Sequence, residues 1–294
     1  MKSKPGALHY GQGRSLGRWA PCDKAPRSAP ELESWASEES PLRVTVCELP
    51  YERLEIKSMW NALCAHTRSR RSELVVLPEF AFVEPVWNRE VFDHQVWDAQ
   101  VKLFDHWLER LPELGAEHVI GARPSTQDGA CFNEGFLWTP AAGYRPLRRK
   151  RYLPDEPGGW EARWFQRAND PFRVFQAGTL TFGLNICTEL WALDSYAAYA
   201  AVPASAVVAP RATAAATIEK WLAVGRVAAV RAGAYCISSN RVHPDGSCGG
   251  VGWIIDPDGQ TLALTSSESP FATVALDLSA AVAARSSYPR YVFR

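Results

Sequence analysis

Two residues whose side chains could do chemistry each follow a short apolar segment. Glu79 comes after the run 75–78, and Cys187 comes after the run 180–186. In an α/β sheet, ligands bind beyond the carboxyl ends of the strands, and a cysteine near backbone N–H groups there can form a reactive thiolate. Each residue alone also has an ordinary interpretation. Glu79 is then a solvated loop residue, and Cys187 is a buried structural cysteine.

A third candidate is Lys150, which lies in the basic run Arg148-Arg149-Lys150-Arg151. Four consecutive cations usually form a solvated face. A cation turned inward would be costly unless a carboxylate or a substrate anion lay beside it. Because successive side chains of an extended segment alternate in direction, an inward Lys150 predicts that Arg149 and Arg151 point outward.

The segments that must position these residues show two kinds of pattern. Short runs rich in β-branched residues predict strands at 42–49, 74–77, 118–121, 132–139, 144–151, 172–175, 180–186, 204–208, 235–239, 250–255 and 272–278. Segments with a helical apolar pattern predict helices at 51–69, 92–111, 195–201 and 217–233. Strands and helices alternate first, and strands joined by hairpins follow, so the sequence predicts a mixed α/β sandwich.

Charge and composition argue against several classes of protein. The 32 basic and 32 acidic residues give a formal net charge of zero, so no binding of nucleic acid is expected. No apolar run reaches the length of a membrane span, and the N-terminal part lacks the apolar core of a signal peptide. The seven cysteines include no CxxC pair and no metal-ligand spacing. These features predict free thiols, no bound metal, no membrane contact and a cytoplasmic location.

The first 40 residues differ from the rest of the chain. They are rich in Gly, Pro, Ser and charged residues without apolar periodicity, so residues 1–40 are predicted to form a flexible N-terminal extension. Several cations precede the first acidic residue, which makes a targeting peptide the less favoured alternative. Residues 41–294 are predicted to form one domain.

Several motifs, in this order, resemble the nitrilase superfamily of carbon–nitrogen hydrolases. The resemblance covers residues 42–292 and is carried by the segments 75–80 around Glu79, 131–134 with its asparagine, 150–156 after Lys150, 183–189 around Cys187, 238–241 and 254–259. The nearest likeness is to the amidases and the N-carbamoylputrescine amidase-like branch.

The resemblance implies a four-layer αββα sandwich, a reaction without a cofactor, and a homodimer or higher homo-oligomer. Carried over by motif, Glu79 is the general base, Lys150 is the cation that stabilises the oxyanion, and Cys187 is the nucleophile. The backbone N–H of Thr188 is expected to help to stabilise the oxyanion.

Members of this family carry a second glutamate after the lysine. The segment 153–161 is similar to the version in N-carbamoylputrescine amidases, in which an acidic residue follows an aromatic one after a Pro-Gly turn. Glu161 fits that place, while Glu156 and Glu134 are weaker candidates. The alternative for Glu161 is that it only caps the loop.

The candidates for substrate binding are Arg211, Trp160, Trp191 and Glu189. Arg211 follows a strand end where this family builds its pocket, and it could meet a substrate carboxylate or carbonyl. It could equally form a supporting salt bridge to Glu189. Trp160 and Trp191, together with Trp164, could line an apolar pocket or pack in the core.

The favoured function is hydrolysis of a non-peptide C–N bond in a small amide or N-carbamoyl amine, through a thioester, with release of ammonia or an amine. The expected partner is therefore a small amide-like molecule. The stretch 188–191 departs from the Trp-Glu-Asn typical of true nitrilases, so conversion of a nitrile to an acid is the alternative. A catalytically silent binding protein is a further alternative, against which the presence of Glu79, Lys150 and Cys187 argues.

Overall fold

The computed structural model of the chain describes residues 40–293. The predicted extension, residues 1–40, lies outside the described residues except for Ser40, and its flexibility stays a prediction. None of the helices within residues 40–293 combines the length and the apolar character needed to cross a bilayer.

The described residues form strands and helices that are numbered in chain order. The strands are β1 (Leu42–Leu49), β2 (Leu74–Glu79), β3 (His118–Gln127), β4 (Ala130–Thr139), β5 (Gly143–Arg149), β6 (Val174–Ala177), β7 (Leu180–Leu184), β8 (Ala206–Val208), β9 (Tyr235–Ser238), β10 (Asn240–Arg241), β11 (Trp253–Ile255), β12 (Thr261–Leu264) and β13 (Phe271–Leu276). The helices are α1 (Arg53–Arg70), α2 (His94–Leu108), α3 (Glu161–Trp164), α4 (Asp194–Ala201), α5 (Ile218–Ala232) and α6 (Leu278–Ala284).

The strands form two sheets. The first has the order β10-β1-β2-β3-β4-β5, and β13 pairs with β1 in the antiparallel direction. The second has the order β12-β11-β9-β8-β7-β6. Strands β1, β2 and β3 are parallel in the first sheet, and β7, β8 and β9 are parallel in the second. The carboxyl ends of these parallel strands are the sheet edges at which the candidate residues lie.

Three apolar clusters separate four layers. Side chains of β2 alternate between two of them: Val75 and Leu77 pack against α1 and α2, whereas Val76 packs between the sheets. Because both faces of β2 are buried, its sequence is a continuous apolar run. The third cluster lies between the second sheet and the helices α4 and α5. The predicted four-layer αββα fold is therefore confirmed.

The element boundaries differ from the prediction where a cap or an exposed face decides them. Helix α2 begins at His94 rather than at 92, because the Asp93 carboxylate accepts hydrogen bonds from the backbone N–H groups of Gln95 and Val96, at 2.8 and 3.2 Å. Strand β12 and the short helices α3 and α6 were not predicted. In β12, half-buried and exposed residues alternate, so it lacks the apolar run that marks the interior strands.

Candidate active site

Glu79 is the last residue of β2, and its carboxylate is completely buried. Its Oε1 accepts hydrogen bonds from Asn133 Nδ2, at 2.7 Å, and from Lys150 Nζ, at 2.8 Å. The next residue, Phe80, has a φ of 51°, so the chain turns sharply as it leaves the sheet. Burial of a carboxylate is costly, and a cation with hydrogen-bond donors beside it offsets this cost. Its other oxygen, Oε2, is buried and has no hydrogen-bond partner among the described residues.

Lys150 follows β5 directly and is buried with its ammonium group between two carboxylates. Its Nζ lies 2.8 Å from Glu79 Oε1 and 2.7 Å from Glu161 Oε1. Its backbone N–H donates to the carbonyl of Asn133 at 2.7 Å, which holds the residue in place beside β4. Burial favours the neutral amine, but the charges of Glu161 and Glu79 outweigh it and raise the pKa of Lys150. Lys150 is therefore an ammonium at neutral pH.

Glu161 is the first residue of the short helix α3, and it is buried. Burial, together with the charge of Glu79, raises the pKa of the Glu161 carboxyl to about 7, against the opposing effect of Lys150. Its Oε2 is buried without a hydrogen-bond partner in the described part of the chain. A cluster of two carboxylates on one ammonium can therefore bind or release a proton near neutral pH.

Cys187 begins the 3₁₀ helix Cys187–Trp191, just beyond β7. Its φ of 48° places a non-glycine residue in the left-handed region. This conformation costs about 1–3 kcal/mol and persists only where the surrounding structure holds it. The backbone N–H of Cys187 donates to the carbonyl of Pro210 at 2.9 Å, and this bond helps to hold the turn. The Sγ atom lies 4.0 Å from the carbonyl oxygen of Ala212. The turn leaves the thiol on the wall of a cavity.

The thiol of Cys187 is neutral when the site is at rest. Burial and then the charge of Glu79 raise its pKa, and the charge of Lys150 only partly offsets them. The sequence suggested a thiolate stabilised by backbone N–H groups, whereas this electrostatic environment favours the protonated thiol. The cysteine therefore needs a base at the moment of attack.

An open cavity of about 340 Å³ lies over Cys187 and Glu161. Its walls include the aromatic rings of Trp87, Trp191 and Trp221. The remaining lining residues are Pro154, Glu156, Pro157, Gly158, Gly159, Thr188, Ala212, Thr213, Ala214 and Thr217. Thr188 lies in the first turn of a 3₁₀ helix, where a backbone N–H has no acceptor within the helix. The cavity can therefore admit a small molecule to the thiol beside a free N–H donor.

Arg211 does not line this cavity, contrary to the prediction that it binds substrate. Its guanidinium is buried, and its nitrogen atoms donate to Ser238 Oγ at 2.7 Å, Thr213 Oγ1 at 2.8 Å and the Val251 carbonyl at 2.6 Å. Its guanidinium carbon lies 3.7 Å from the ring centre of Trp253. Since these donors face protein acceptors, Arg211 supports the strand ends beneath the site.

Glu189 pairs with Arg148, so the predicted alternative of a salt bridge between Arg211 and Glu189 is also wrong. Arg148 Nη2 donates to Glu189 Oε1 at 2.9 Å, and Nη1 donates to Oε2. Both side chains are buried, and neither lines the cavity. The prediction that Glu189 binds substrate therefore finds no support in its position.

The carboxylate of Glu189 also joins the two segments that carry the reactive side chains. Its Oε1 accepts from the backbone N–H of Arg151 at 2.6 Å, and its Oε2 accepts from that of Ile186 at 2.9 Å. Arg151 follows Lys150 in the chain, and Ile186 precedes Cys187. One buried carboxylate therefore fixes the backbone next to both residues.

Among the three candidate glutamates, Glu161 contacts Lys150. Glu134 is buried and accepts a hydrogen bond from the hydroxyl of Tyr144. Glu156 is exposed and lines the cavity. The position of Glu161 therefore matches a second carboxylate at the lysine better than either alternative.

The predicted pocket tryptophans lie in different surroundings. Trp191 lines the cavity and is 47% exposed. Trp160 does not line the cavity. The guanidinium carbon of Arg163 lies 4.7 Å from the centre of its ring. Trp164 is buried, with its ring centre 5.1 Å from that of Phe92. Of the three, Trp191 alone has the predicted position.

Four residues of the site were not assigned a role from the sequence. Asn133 holds Glu79, Arg148 holds Glu189, and Trp87 and Trp221 line the cavity. The alternation that turns Lys150 inward also turns Arg148 inward, so this signal was present in the basic run. The two tryptophans come from distant segments, and no local pattern marks them.

Two carboxylates, an ammonium and a thiol beside a cavity, carried by an αββα sandwich, define the molecule as a cysteine-containing hydrolase by fold and site. The family model for carbon-nitrogen hydrolases matches residues 43–286, and the chain belongs to this family. The resemblance to the nitrilase superfamily is thus confirmed, while the particular branch stays a prediction.

Solved structures with the same fold share little sequence with the chain. A carbon-nitrogen hydrolase from Helicobacter pylori G27 is 19% identical, with a TM-score of 0.76 over 86% of this chain and 95% of that one. An amidase from Nesterenkonia sp. is 19% identical, with a TM-score of 0.66 over 81% and 90%. A mutant of the Nesterenkonia sp. AN1 amidase carries the acetamide moiety of fluoroacetamide on its active-site cysteine, and it is 18% identical, with a TM-score of 0.67 over 86% and 96%. No curated protein matches the chain significantly.

Proposed function

We propose that this protein hydrolyses the non-peptide C–N bond of a small amide or N-carbamoyl amine through a thioester on Cys187. The observation that carries this proposal is the Lys150 ammonium, held by Glu79 and Glu161 at 2.8 and 2.7 Å beside a thiol that lines an open cavity. A buried charge cluster of this kind, with unpaired carboxylate oxygens, suits proton transfer at a carbonyl group.

In the first half of the reaction, Glu79 takes the proton of the Cys187 thiol as the sulfur attacks the carbonyl carbon. The carbonyl oxygen becomes an oxyanion, which the Lys150 ammonium and the Thr188 N–H stabilise. One such donor contributes about 3–4 kcal/mol to the transition state. Glu79 then passes its proton to the nitrogen, the C–N bond breaks, and ammonia or an amine leaves.

In the second half, water attacks the thioester carbon and Glu79 takes a proton from the water. The second tetrahedral intermediate forms its oxyanion at the same donors. The C–S bond then breaks, the acid leaves, and the sulfur regains its proton from Glu79. The neutral resting thiol of Cys187 is restored, so the cycle consumes only the amide and water.

Glu161 has a positioning role in this mechanism. Its carboxylate accepts a second hydrogen bond from the Nζ of Lys150, in addition to the one that Glu79 accepts. With two acceptors, the ammonium keeps a defined direction while its third proton serves the oxyanion.

The solved relatives support the amide over the nitrile. The Nesterenkonia proteins are described as amidases, and the acetamide adduct lies on the cysteine of that enzyme.

The deciding experiment is ammonia release from matched panels of amides, N-carbamoyl amines and nitriles, with Cys187→Ala as the control. We expect turnover of amides or N-carbamoyl amines by the wild type and none by the variant. Preference for nitriles would make the protein a nitrilase. Binding without any turnover would make it a silent member of the family.

A labelling experiment tests the nucleophile independently of the substrate. Brief treatment with iodoacetamide at neutral pH, followed by peptide mapping, should modify Cys187 before the half-buried Cys131. Because burial raises the pKa of both thiols, the selectivity must come from Glu79 as an adjacent base. Glu79→Gln should therefore remove it. Equal labelling of Cys131 and Cys187 in the wild type would contradict the mechanism.

We also propose a cytoplasmic homodimer or higher homo-oligomer that acts on a small molecule without nucleic acid or membrane partners. These proposals rest on the composition and on the family resemblance. Light scattering at several protein concentrations tests the oligomeric state, and a monomer at all of them would contradict it.

A further inference from the structure

The last two residues of the motif 238–241 have buried polar side chains that the proposed mechanism does not use. Asn240 and Arg241 form the short strand β10, which pairs with β1 at one end of the first sheet. The Asn240 side-chain oxygen accepts from the backbone N–H of Thr213 at 2.9 Å, and Thr213 lines the active-site cavity. Arg241 is completely buried and extends to the turn that follows Glu79.

The guanidinium of Arg241 binds the turn 80–83. Its Nη1 donates to the carbonyl oxygen of Phe80 and to that of Val83, the second at 2.5 Å. These are the first and last residues of the turn, and the Val83 N–H also donates to the Phe80 carbonyl at 3.2 Å. One nitrogen atom therefore holds both ends of the turn that begins directly after Glu79.

The pairing of β2 with β3 is irregular next to Glu79. Pro78 has no N–H to donate to the ladder, and the register between the two strands shifts between Val76 and Glu79. Phe80 then has its φ of 51°, a conformation that a non-glycine residue keeps only where its surroundings hold it. The direction of the Glu79 carboxylate therefore depends on contacts outside the strand ladder, and Arg241 supplies two of them.

Arg241 is a buried cation without a paired carboxylate. None of the ion pairs within residues 40–293 includes it, and its Nε and Nη2 are buried without a hydrogen-bond partner there. Its guanidinium carbon lies 4.8 Å from the ring centre of Tyr51. Burial lowers the pKa of Arg241 to about 10, against the opposing effect of acidic groups around it, Glu79 among them. A cation buried in this way is costly for the fold, and such costs are typical of functional sites.

We propose that Arg241 is a positioning residue for the general base of the reaction. By holding the turn 80–83, it fixes the direction in which the Glu79 carboxylate leaves β2. The carboxylate then meets both the Lys150 ammonium and the Cys187 thiol. This role rests on the proposed hydrolase function. Loss of the guanidinium should displace the base and leave the cavity able to bind substrate, and a displacement of about 1 Å can lower a rate by about 10²-fold.

Turnover of the substrate that the panel identifies separates positioning from binding. Arg241→Met removes the donors and retains an unbranched side chain, so kcat should fall by about 10²-fold while KM changes by less than about threefold. Arg241→Lys keeps the charge and N–H donors but not the planar fork, so the protein should fold and kcat should lie about tenfold below that of the wild type. A wild-type kcat in Arg241→Lys, or a loss that lies wholly in KM, would overturn the inference.

Arg290→Met is the matched control for the loss of a buried arginine. The guanidinium of Arg290 donates to the carbonyls of Ala284 and Pro257, at 2.6 and 2.9 Å, and the residue does not line the active-site cavity. This variant should have a lower melting temperature and a wild-type kcat. A fall in kcat equal to that of Arg241→Met would mean that lost stability, and not the position of Glu79, sets the rate.

Alkylation of Cys187 tests the link between Arg241 and Glu79 without any substrate. In brief iodoacetamide labelling, Arg241→Met and Arg241→Lys should both slow the modification of Cys187, and Arg290→Met should not. In the Glu79→Gln background, neither change at Arg241 should slow it further, because Arg241 acts through that carboxylate. Equal slowing with and without the Glu79 carboxylate would overturn the inference. Absence of turnover with every amide and N-carbamoyl amine would instead contradict the proposed function, and the labelling rates would still decide on Arg241.

Discussion

Two buried ion clusters lie on neighbouring parts of this molecule, and they differ in how completely their oxygen atoms are bonded. In the first, Lys150 joins Glu79 and Glu161, and one oxygen of each carboxylate has no partner among the described residues. In the second, both oxygens of Glu189 accept two hydrogen bonds each, in part from Arg148. The two cations are alternate residues of one extended segment.

The difference in bonding indicates different roles for the two clusters: the first suits proton transfer, and the second holds the backbone. A carboxylate whose oxygens are all bonded has no capacity left for a proton, so Glu189 can only hold the backbone. A carboxylate with a free buried oxygen is costly for the fold and can accept a proton from a thiol or a water. In the proposed mechanism, the same segment supplies the cation for the reaction at Lys150, and Arg148 supplies a cation that holds the structure. Variants of the two clusters should fail in different ways.

The largest effect is expected on the rate, from Lys150→Ala. Without the ammonium the oxyanion loses its main donor, so kcat should fall by about 10³-fold or more. The protein should stay folded with a lowered melting temperature, because the Glu161 carboxyl, whose pKa is raised to about 7, can take up a proton and Asn133 still donates to Glu79. Lys150→Arg should also fail, since a planar guanidinium does not replace a compact ammonium. Turnover and melting temperature of both variants check this.

The second effect is expected on stability, from Glu189→Ala. Loss of this carboxylate leaves Arg148 buried without its partner, which should lower the free energy of unfolding by about 3–5 kcal/mol. Urea unfolding of the variant measures the loss. The double variant Arg148→Met with Glu189→Leu should regain only part of it, because neither charge remains buried but the N–H groups of Arg151 and Ile186 lose their acceptor. A loss below about 1 kcal/mol in Glu189→Ala would mean that the Arg148–Glu189 pair does not stabilise this region.

The third effect is the pH dependence of the rate. Because the pKa of the Glu161 carboxyl is raised from 4.5 to about 7, it is protonated below that pH and ionised above it. The ionised form accepts from Lys150, so kcat should rise with pH through about 7 and be about tenfold lower at pH 6 than on the plateau. Glu161→Gln should remove this inflection, while Asp155→Asn should retain it. An unchanged profile in Glu161→Gln would assign the titration to another group.

The smallest effect is expected from Arg149→Ala. Arg149 points away from the cluster and pairs with Asp170, at 2.8 Å, with both side chains partly exposed. A pair of this kind contributes at most about 1 kcal/mol to stability, and the rate should change by less than about threefold. The same kinetic and unfolding measurements check it. A rate loss comparable to that of Lys150→Ala would make the basic run a general patch and remove the special role of Lys150.

Much of the fold could be predicted because its signals are local. The interior strands β2 and β8 are buried on both faces, so apolar residues dominate their sequences. Strand β12 has one exposed face and was missed. The site was predictable in part: Glu79 and Cys187 each follow a predicted strand, Lys150 lies near the end of the predicted strand 144–151, and the family resemblance named all three.

The order Glu79, Lys150, Cys187 and their places at strand ends were therefore determined by the sequence alone. Only the tertiary structure decided that Arg148 rather than Arg211 pairs with Glu189, and that Glu161, which the resemblance already favoured, contacts Lys150. Arg148 and Glu189 are 41 positions apart in the chain, and Lys150 and Glu79 are 71 positions apart. Strand patterns depend on neighbours in the chain, whereas the partner and the pKa of a buried charge depend on which groups share its water-free space.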